Sequence, residues 1–404
     1  MKRLVAMLLA LCMVGLCGCG GNAAEETQAL EPTPEATEAA QTDPVLDRAV
    51  SAGGSNHRLK KVLERMKAGE KVTVGFIGGS ITEGYNARGG DNYAKLVTQY
   101  LNRTWSDGTG RVTCVNAGLS GTPSMLGLIR AERELLSVGP DLIFIEFAVN
   151  DAQTFTDRQA YEGLIRKCLL QENEPAVILL YSVTENGYTC QNDMAMTAFY
   201  YDLPAVSVRD TIVPEIESGA MTWDDWSDDD VHPHGEGHLL YSRMIAHLIE
   251  TQAGRESDGE YTVPEKCRFS RDWANLTEYD RTNLNVLSMG SFTEAAAHPN
   301  FRSGFSHNGG GETGNEGLIF EMTGNTLFLV FKATTSSAYG TAEVLVDGEV
   351  AAHLTACTPD GWNNPVTKLI FSDKEAATHR IEIRMQPGDE DKRFDLLAVG
   401  IAEN

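Results

Sequence analysis

The chain has 404 residues, 42% of them hydrophobic and 22% charged, and a formal net charge of −24. That length suits two or three domains with ordinary apolar cores. The charge excludes a nucleic-acid surface, which needs Lys and Arg patches, and excludes adhesion to an anionic membrane through charge.

Lys2 and Arg3 precede a short apolar run from Leu4 to Leu16, the pattern of a secretory signal and too short for a spanning helix. The run ends Leu16-Cys17-Gly18-Cys19, which resembles the bacterial lipobox. The resemblance implies a signal over residues 1–19 and a lipid on Cys19; the alternative is a simple cleaved signal with a chance cysteine. With the lipid, the protein is extracytoplasmic and meets the bacterial cell membrane only through that anchor. Residues 20–48 are rich in Ala, Glu, Thr, Pro and Gln with few large apolar groups, and read as a disordered linker. Five further cysteines, Cys114, Cys168, Cys190, Cys267 and Cys357, show no CxxC spacing, so neither a zinc site nor a disulfide framework is expected. Cys114 and Cys168 fall in apolar patterns and are expected in the core.

Residues 49–254 alternate helix and strand. Helical periodicity runs over Asn56–Gly69, Asp91–Asn102, Ser124–Ser137, Arg158–Leu170, Gln191–Tyr201 and Gly235–Glu250. Apolar, β-branched strands run over Val72–Ile77, Arg111–Asn116, Asp141–Phe147, Ala176–Tyr181 and Ala205–Val208. This alternation predicts a parallel sheet covered on both faces, a three-layer α/β/α sandwich of flavodoxin-like type.

In such a sheet the strand exits meet at one edge, so each exit is a candidate for chemistry. The first carries Gly78-Gly79-Ser80, a tight turn presenting either a nucleophilic serine or a plain helix N-cap. The second carries Asn116-Ala117-Gly118-Leu119-Ser120-Gly121, where Gly118 either offers a backbone N–H to a ligand or simply turns the chain. The third carries Ala148-Val149-Asn150-Asp151, where Asn150 is either an amide donor or a turn residue. Before the last helix lies Ser227-Asp228-Asp229-Asp230-Val231-His232-Pro233. Asp229 stands three residues before His232, a spacing that lets a carboxylate fold back onto imidazole Nδ1 and leave Nε2 for a serine proton. Trp223 and Trp226, just upstream, are either a sugar platform or packing for this loop.

Together these four blocks resemble those of the SGNH hydrolases, also called GDSL-type esterases. Ser80 matches the nucleophile block, Gly118 the second, Asn150 the third, and Asp229 with His232 the DxxH block. The match spans roughly residues 56–252. Two departures stand out: Gly78-Gly79-Ser80-Ile81 replaces Gly-Asp-Ser-Leu, and Ala148 replaces the glycine before Val149-Asn150-Asp151. The resemblance implies ester hydrolysis through an acyl-enzyme with Ser80 as nucleophile, His232 as base and Asp229 as orienting acid. It implies an oxyanion hole from the Ser80 and Gly118 N–H groups and the Asn150 amide. No metal or cofactor is needed, and no ligand constellation is visible.

After a polar connector, 255–285, residues 286–404 read as short strands with turn signals, including hairpins at Thr323-Gly324-Asn325 and Asp347-Gly348. They predict an all-β sandwich of jelly-roll type. It resembles the carbohydrate-binding modules of exported esterases, with Trp362 able to stack on a sugar; a stabilising domain without a ligand is the alternative. The combined expectation is a carbohydrate esterase removing small acyl groups, acetyl first among them. A general carboxylesterase or lysophospholipase-type acylhydrolase, and an inactive glycan-binding lipoprotein, are the competing readings. Oligomeric state is not readable from the chain.

Overall fold

A computed structural model describes residues 43–88, 91–269, 273–309 and 314–403. The signal at 1–19, Cys19 and the linker through residue 42 lie outside the described residues. Within the segment expected as linker, Asp43 caps a single helical turn, α1 (Pro44–Asp47).

The α/β half is a six-stranded sheet. Its strands are β1 (Val50–Ala52), β2 (Val72–Gly78), β3 (Val112–Gly118), β4 (Leu142–Glu146), β5 (Ala176–Tyr181) and β6 (Ala205–Ser207), in the order β1-β6-β5-β4-β2-β3. All pairs are parallel except the antiparallel edge pair β1–β6. The central strands β4 and β5 are wholly buried, as their continuous apolar runs require. Helices α2 (His57–Lys67), α3 (Ser80–Glu83), α4 (Tyr93–Thr104), α5 (Ser124–Glu134), α6 (Phe155–Leu169), α7 (Gln191–Tyr200), α8 (Val208–Ser218) and α9 (Gly235–Gly254) connect or follow the strands. The chain runs from β2 outward to β3, then returns to place β4 on the other side of β2. The carboxyl ends of β2 and β4 therefore flank the point where strand order reverses, and open α/β sheets have their crevice there. Cys168 is buried, but Cys114 is exposed because β3 is the sheet's edge strand.

In the C-terminal half every strand pair is antiparallel. Its strands are β7 (Thr277–Tyr279), β8 (Asn285–Ser288), β9 (Phe292–Ala295), β10 (Gly304–Asn308), β11 (Leu318–Thr334), β12 (Thr341–Val346), β13 (Glu349–Thr355), β14 (Trp362–Met385) and β15 (Arg393–Ala402). Two of the expected hairpin and strand boundaries differ. Thr323-Gly324-Asn325 is no turn; it lies inside the 17-residue β11, with a register shift between Gly324 and Thr326. Likewise, where short strands were expected, residues 362–385 form one 24-residue strand, β14. The amino-terminal half of β11 pairs with β8 and its carboxyl-terminal half with β15, while β14 follows it along both halves. Long strands that pass between half-sheets through a bulge make the corners of such folds. The Asp347-Gly348 turn does form as expected, with both residues at positive φ.

The two halves share a core. Trp273 and Leu276, from the expected connector, and Phe328, Val330 and Leu397 join one buried cluster with residues of α5 and α6. Trp273 meets Phe328 edge-on at 5.0 Å. Strand β7 within that connector pairs with β15, and Arg133 of α5 forks onto Glu278 of β7 with two 3.0 Å hydrogen bonds. This docking holds the β sheet beside the strand exits.

Candidate active site

Ser80 opens α3 directly after β2 and is buried. Its Oγ lies 2.8 Å from His232 Nε2, and His232 Nδ1 lies 2.9 Å from Asp229 Oδ2. The loop that carries Asp229 and His232 closes on itself. Asp229 Oδ1 accepts the N–H groups of Val231 at 2.8 Å and His232 at 2.6 Å, the short-range turn that Asp favours. The buried Ser227 hydroxyl accepts the Asp229 N–H at 3.1 Å, and Trp223 Nε1 donates to the Asp229 carbonyl at 2.6 Å. Asn86 donates to the His232 carbonyl at 3.1 Å.

Burial alone would raise the Asp229 pKa, but the His232 and Val231 N–H groups and the imidazole outweigh it and hold it below the usual carboxylate value. An ionised carboxylate only accepts, so the neutral imidazole carries its proton on Nδ1. Nε2 is then the acceptor for the Ser80 hydroxyl, the arrangement that lets an imidazole take a serine proton.

Asn150 follows β4 and lies against the nucleophile turn. A Cβ at Gly79 would fall 2.2 Å from Asn150 Oδ1, so the glycine that replaces the family's usual aspartate makes room for this carboxamide. The Asn150 Nδ2 has no acceptor among the described residues.

The second glycine block corrects the expectation. The Gly118 N–H donates to Asn116 Oδ1 at 2.9 Å, and a Cβ at Gly118 would strike the Glu83 backbone N at 2.1 Å. Gly118 thus packs behind α3 with its N–H already occupied, and is not free to serve an oxyanion. Gly121, three residues on, lines the cleft with Ser80 and Asn150, has φ +66°, and its N–H has no acceptor among the described residues. The sequence block holds both glycines, and only the path of the turn separates them.

The tryptophans divide. Trp226 is 1% exposed and packs in the core against Tyr241, so it cannot serve as a sugar platform. Trp223 is partly buried and holds the Asp229 carbonyl, a packing role for the loop. The aromatic rings in the cleft are instead Tyr85, 4.6 Å from the His232 ring, and Trp362 of the β domain.

The cleft measures about 830 Å³ and contains Ser80, Asn150 and His232 together with His298, Asn300 and Trp362. Both halves of the chain therefore contribute walls. The Trp362 ring lies over Gly121, within 2.6 Å of where a Cβ would stand, and is 55% exposed. Beneath the nucleophile, Glu146 is fully buried; Thr82 donates to it at 3.3 Å. Burial pushes its pKa up to about 7 against the hydrogen bonds from Ser182 and Thr82. Burial also pushes Asp151 up to about 8, although the Ser124 N–H at 2.7 Å and Oγ at 2.6 Å hold its carboxyl. Among the described residues no cluster of His, Cys, Asp or Glu could hold a metal ion.

Residues 76–240 match the GDSL-like Lipase/Acylhydrolase family. The chain is also similar to the crystal structure of a two-domain esterase (CEX) active on acetylated mannans, with 28% identity, a TM-score of 0.78, and coverage of 89% of this chain and 99% of that one. A second structure of such an esterase, co-crystallised with mannopentaose, matches at 28% identity and a TM-score of 0.78, over 89% of this chain and 98% of that one. No curated protein matches the sequence. The stretch 76–240 of the α/β half is thus similar to the GDSL-like Lipase/Acylhydrolase family. The protein as a whole is a carboxylic ester hydrolase with an appended all-antiparallel β domain.

Proposed function

We propose that this hydrolase removes acetyl groups from a neutral polysaccharide outside the cytoplasm, held to the membrane by a lipid on Cys19. The observation that carries the reading is the Ser80–His232 contact of 2.8 Å at the base of a cleft whose far wall comes from the β domain. A second wall gives an extended substrate more surface to meet than a small free ester can use. The similarity to an esterase active on acetylated mannans, which extends over both halves, supports the same substrate class. The acidic cleft residues Glu83, Asp229 and Asp230, in a chain of net charge −24, disfavour a uronate-rich polymer.

In the proposed reaction Ser80 Oγ attacks the acetyl carbonyl carbon while its proton passes to His232 Nε2. The developing oxyanion receives the Ser80 and Gly121 N–H groups and the Asn150 amide, each worth about 10²–10³ in rate. The intermediate collapses by breaking the carbon–oxygen bond to the sugar, whose oxygen takes the proton from His232. Water then attacks acetyl-Ser80, gives its proton to His232, and acetate leaves as Ser80 recovers its proton. Asp229 holds the imidazole orientation and stabilises the imidazolium throughout.

The test is acetate release from acetylated mannan, acetylated xylan and acetylated cell-wall glycan, with p-nitrophenyl acetate as the small ester. Release from a polysaccharide that is lost in Ser80→Ala is expected. Hydrolysis of p-nitrophenyl acetate with no acetate from any polysaccharide contradicts the substrate class.

A further inference from the structure

The β domain brings into the catalytic cleft one titratable side chain that this mechanism leaves idle, His298. It stands between β9 and β10 in a tight turn, where the Phe301 N–H donates to its carbonyl at 3.0 Å and the two rings lie 5.8 Å apart. The Asn300 N–H donates to His298 Nδ1 at 3.2 Å. A neutral imidazole has one N–H, so with Nδ1 accepting, the proton sits on Nε2. Nε2 has no acceptor among the described residues.

Two further features fix this ring. Burial, and after it the nearby Lys332 ammonium, hold the His298 pKa below the ordinary imidazole value, while Glu134 opposes them. The ring is therefore neutral at pH 7. Lys332 donates to the Ala297 carbonyl at 3.5 Å and is itself anchored by the fully buried Asp395, which also accepts from Tyr339 Oη at 2.8 Å. The turn is thus pinned to β11 and β15, so the imidazole is presented from a rigid support rather than a free loop. Asn300 and the exposed Trp362 line the same cleft.

We infer that His298 is a specificity-determining residue: its Nε2–H donates a hydrogen bond to a hydroxyl or ring oxygen of the acetylated sugar while Trp362 covers an apolar face of that ring. This inference rests on the carbohydrate reading above and assigns one recognition contact within it. A fixed neutral donor suits an uncharged O-acetylated sugar, whose oxygens accept. A small aryl ester has no sugar oxygen to offer it.

The experiment measures kcat and KM for the parent, His298→Ala, His298→Phe and His298→Gln on an acetylated mannan oligosaccharide and on p-nitrophenyl acetate, with circular dichroism of each variant. A single neutral hydrogen bond is worth about 1 kcal/mol, so kcat/KM on the oligosaccharide should fall about fivefold in the Ala and Phe variants, mainly through KM. The loss on p-nitrophenyl acetate should be severalfold smaller. Gln, which retains an N–H donor, should recover most of the loss, whereas Phe, which retains ring volume alone, should not. Equal losses on the two substrates, an unchanged KM for the oligosaccharide, or Phe rescuing as well as Gln would overturn the assignment. A parent that hydrolyses p-nitrophenyl acetate but releases no acetate from any polysaccharide removes the carbohydrate reading itself. That outcome is read from the parent alone and so differs from a failure of the His298 variants.

Discussion

The two walls of the cleft are built on opposite plans. On the α/β side, Ser80 and Asn150 hang on adjacent strand exits, and Asp229 and His232 share one loop closed by its own backbone. On the β side, Trp362, His298 and Asn300 come from segments far apart in sequence. They reach the cleft only because the sheet docks through Trp273, Phe328 and the Arg133–Glu278 fork. The difference teaches that the reacting groups are set by local hydrogen bonds, while the outer wall is set by long-range packing. Substitutions should therefore divide into those that stop hydrolysis of every ester and those that weigh more on a large substrate.

The largest effect is expected at Ser80. Ser80→Ala should lower kcat by about 10⁴–10⁶ on any ester while the circular dichroism spectrum stays that of the parent. A substantial remaining rate would take Ser80 out of the chemistry. Next, Asp229→Asn should cost about 10⁴ in kcat by disturbing the imidazole tautomer. Asp228 pairs with the exposed Arg88 and Asp230 is exposed, so Asp228→Asn and Asp230→Asn should change kcat only slightly. Comparable losses in all three would mean that the orienting acid is misassigned. Asn150→Ala should then cost about 10²–10³ in kcat with KM little altered, as loss of one oxyanion donor does.

The β wall should answer differently. Trp362→Ala removes a ring that lies over Gly121, and should raise KM for an acetylated polysaccharide roughly tenfold, with a smaller loss on p-nitrophenyl acetate. Equal effects on both substrates would erase the distinction between the two walls.

The smallest expected effect concerns stability. Burial raises Glu146 to about 7 and Asp151 to about 8, both above free carboxyl values. Raised acids stabilise the fold fully below the unfolded pKa and lose that contribution as pH rises through the folded one. The melting temperature should therefore fall between about pH 5 and pH 9, and Asp151→Asn should flatten part of that slope. A melting temperature that rises over this range would contradict both buried carboxyls.

Much of this was legible in the chain because the relevant signals are short-ranged. The apolar runs of β2, β4 and β5 read as buried strands, and the Asp229–His232 spacing reads as a loop closing on itself. The failures share a cause in distance. Gly118 and Gly121 sit in the same block, and only the close packing of Gly118 against Glu83 decides which N–H is free. Thr323-Gly324-Asn325 has the composition of a turn, yet there β11 continues through a register shift, and Gly324 lets it pass the Ala402 carbonyl, 2.7 Å from where a Cβ would lie. Helix α8 carries Pro214 in its interior and was not expected, since proline there removes a helical donor. His298 has no periodicity or partner spacing at all; its place in the cleft follows from the docking of a whole sheet.

The most direct test of the account is labelling with a fluorophosphonate, which reacts with activated serines, followed by peptide mapping of the parent, Ser80→Ala and His232→Ala. Attachment confined to Ser80 in the parent, and lost or strongly slowed in both variants, is the predicted result. Attachment at another serine, or equal labelling of Ser80 without His232, would contradict it.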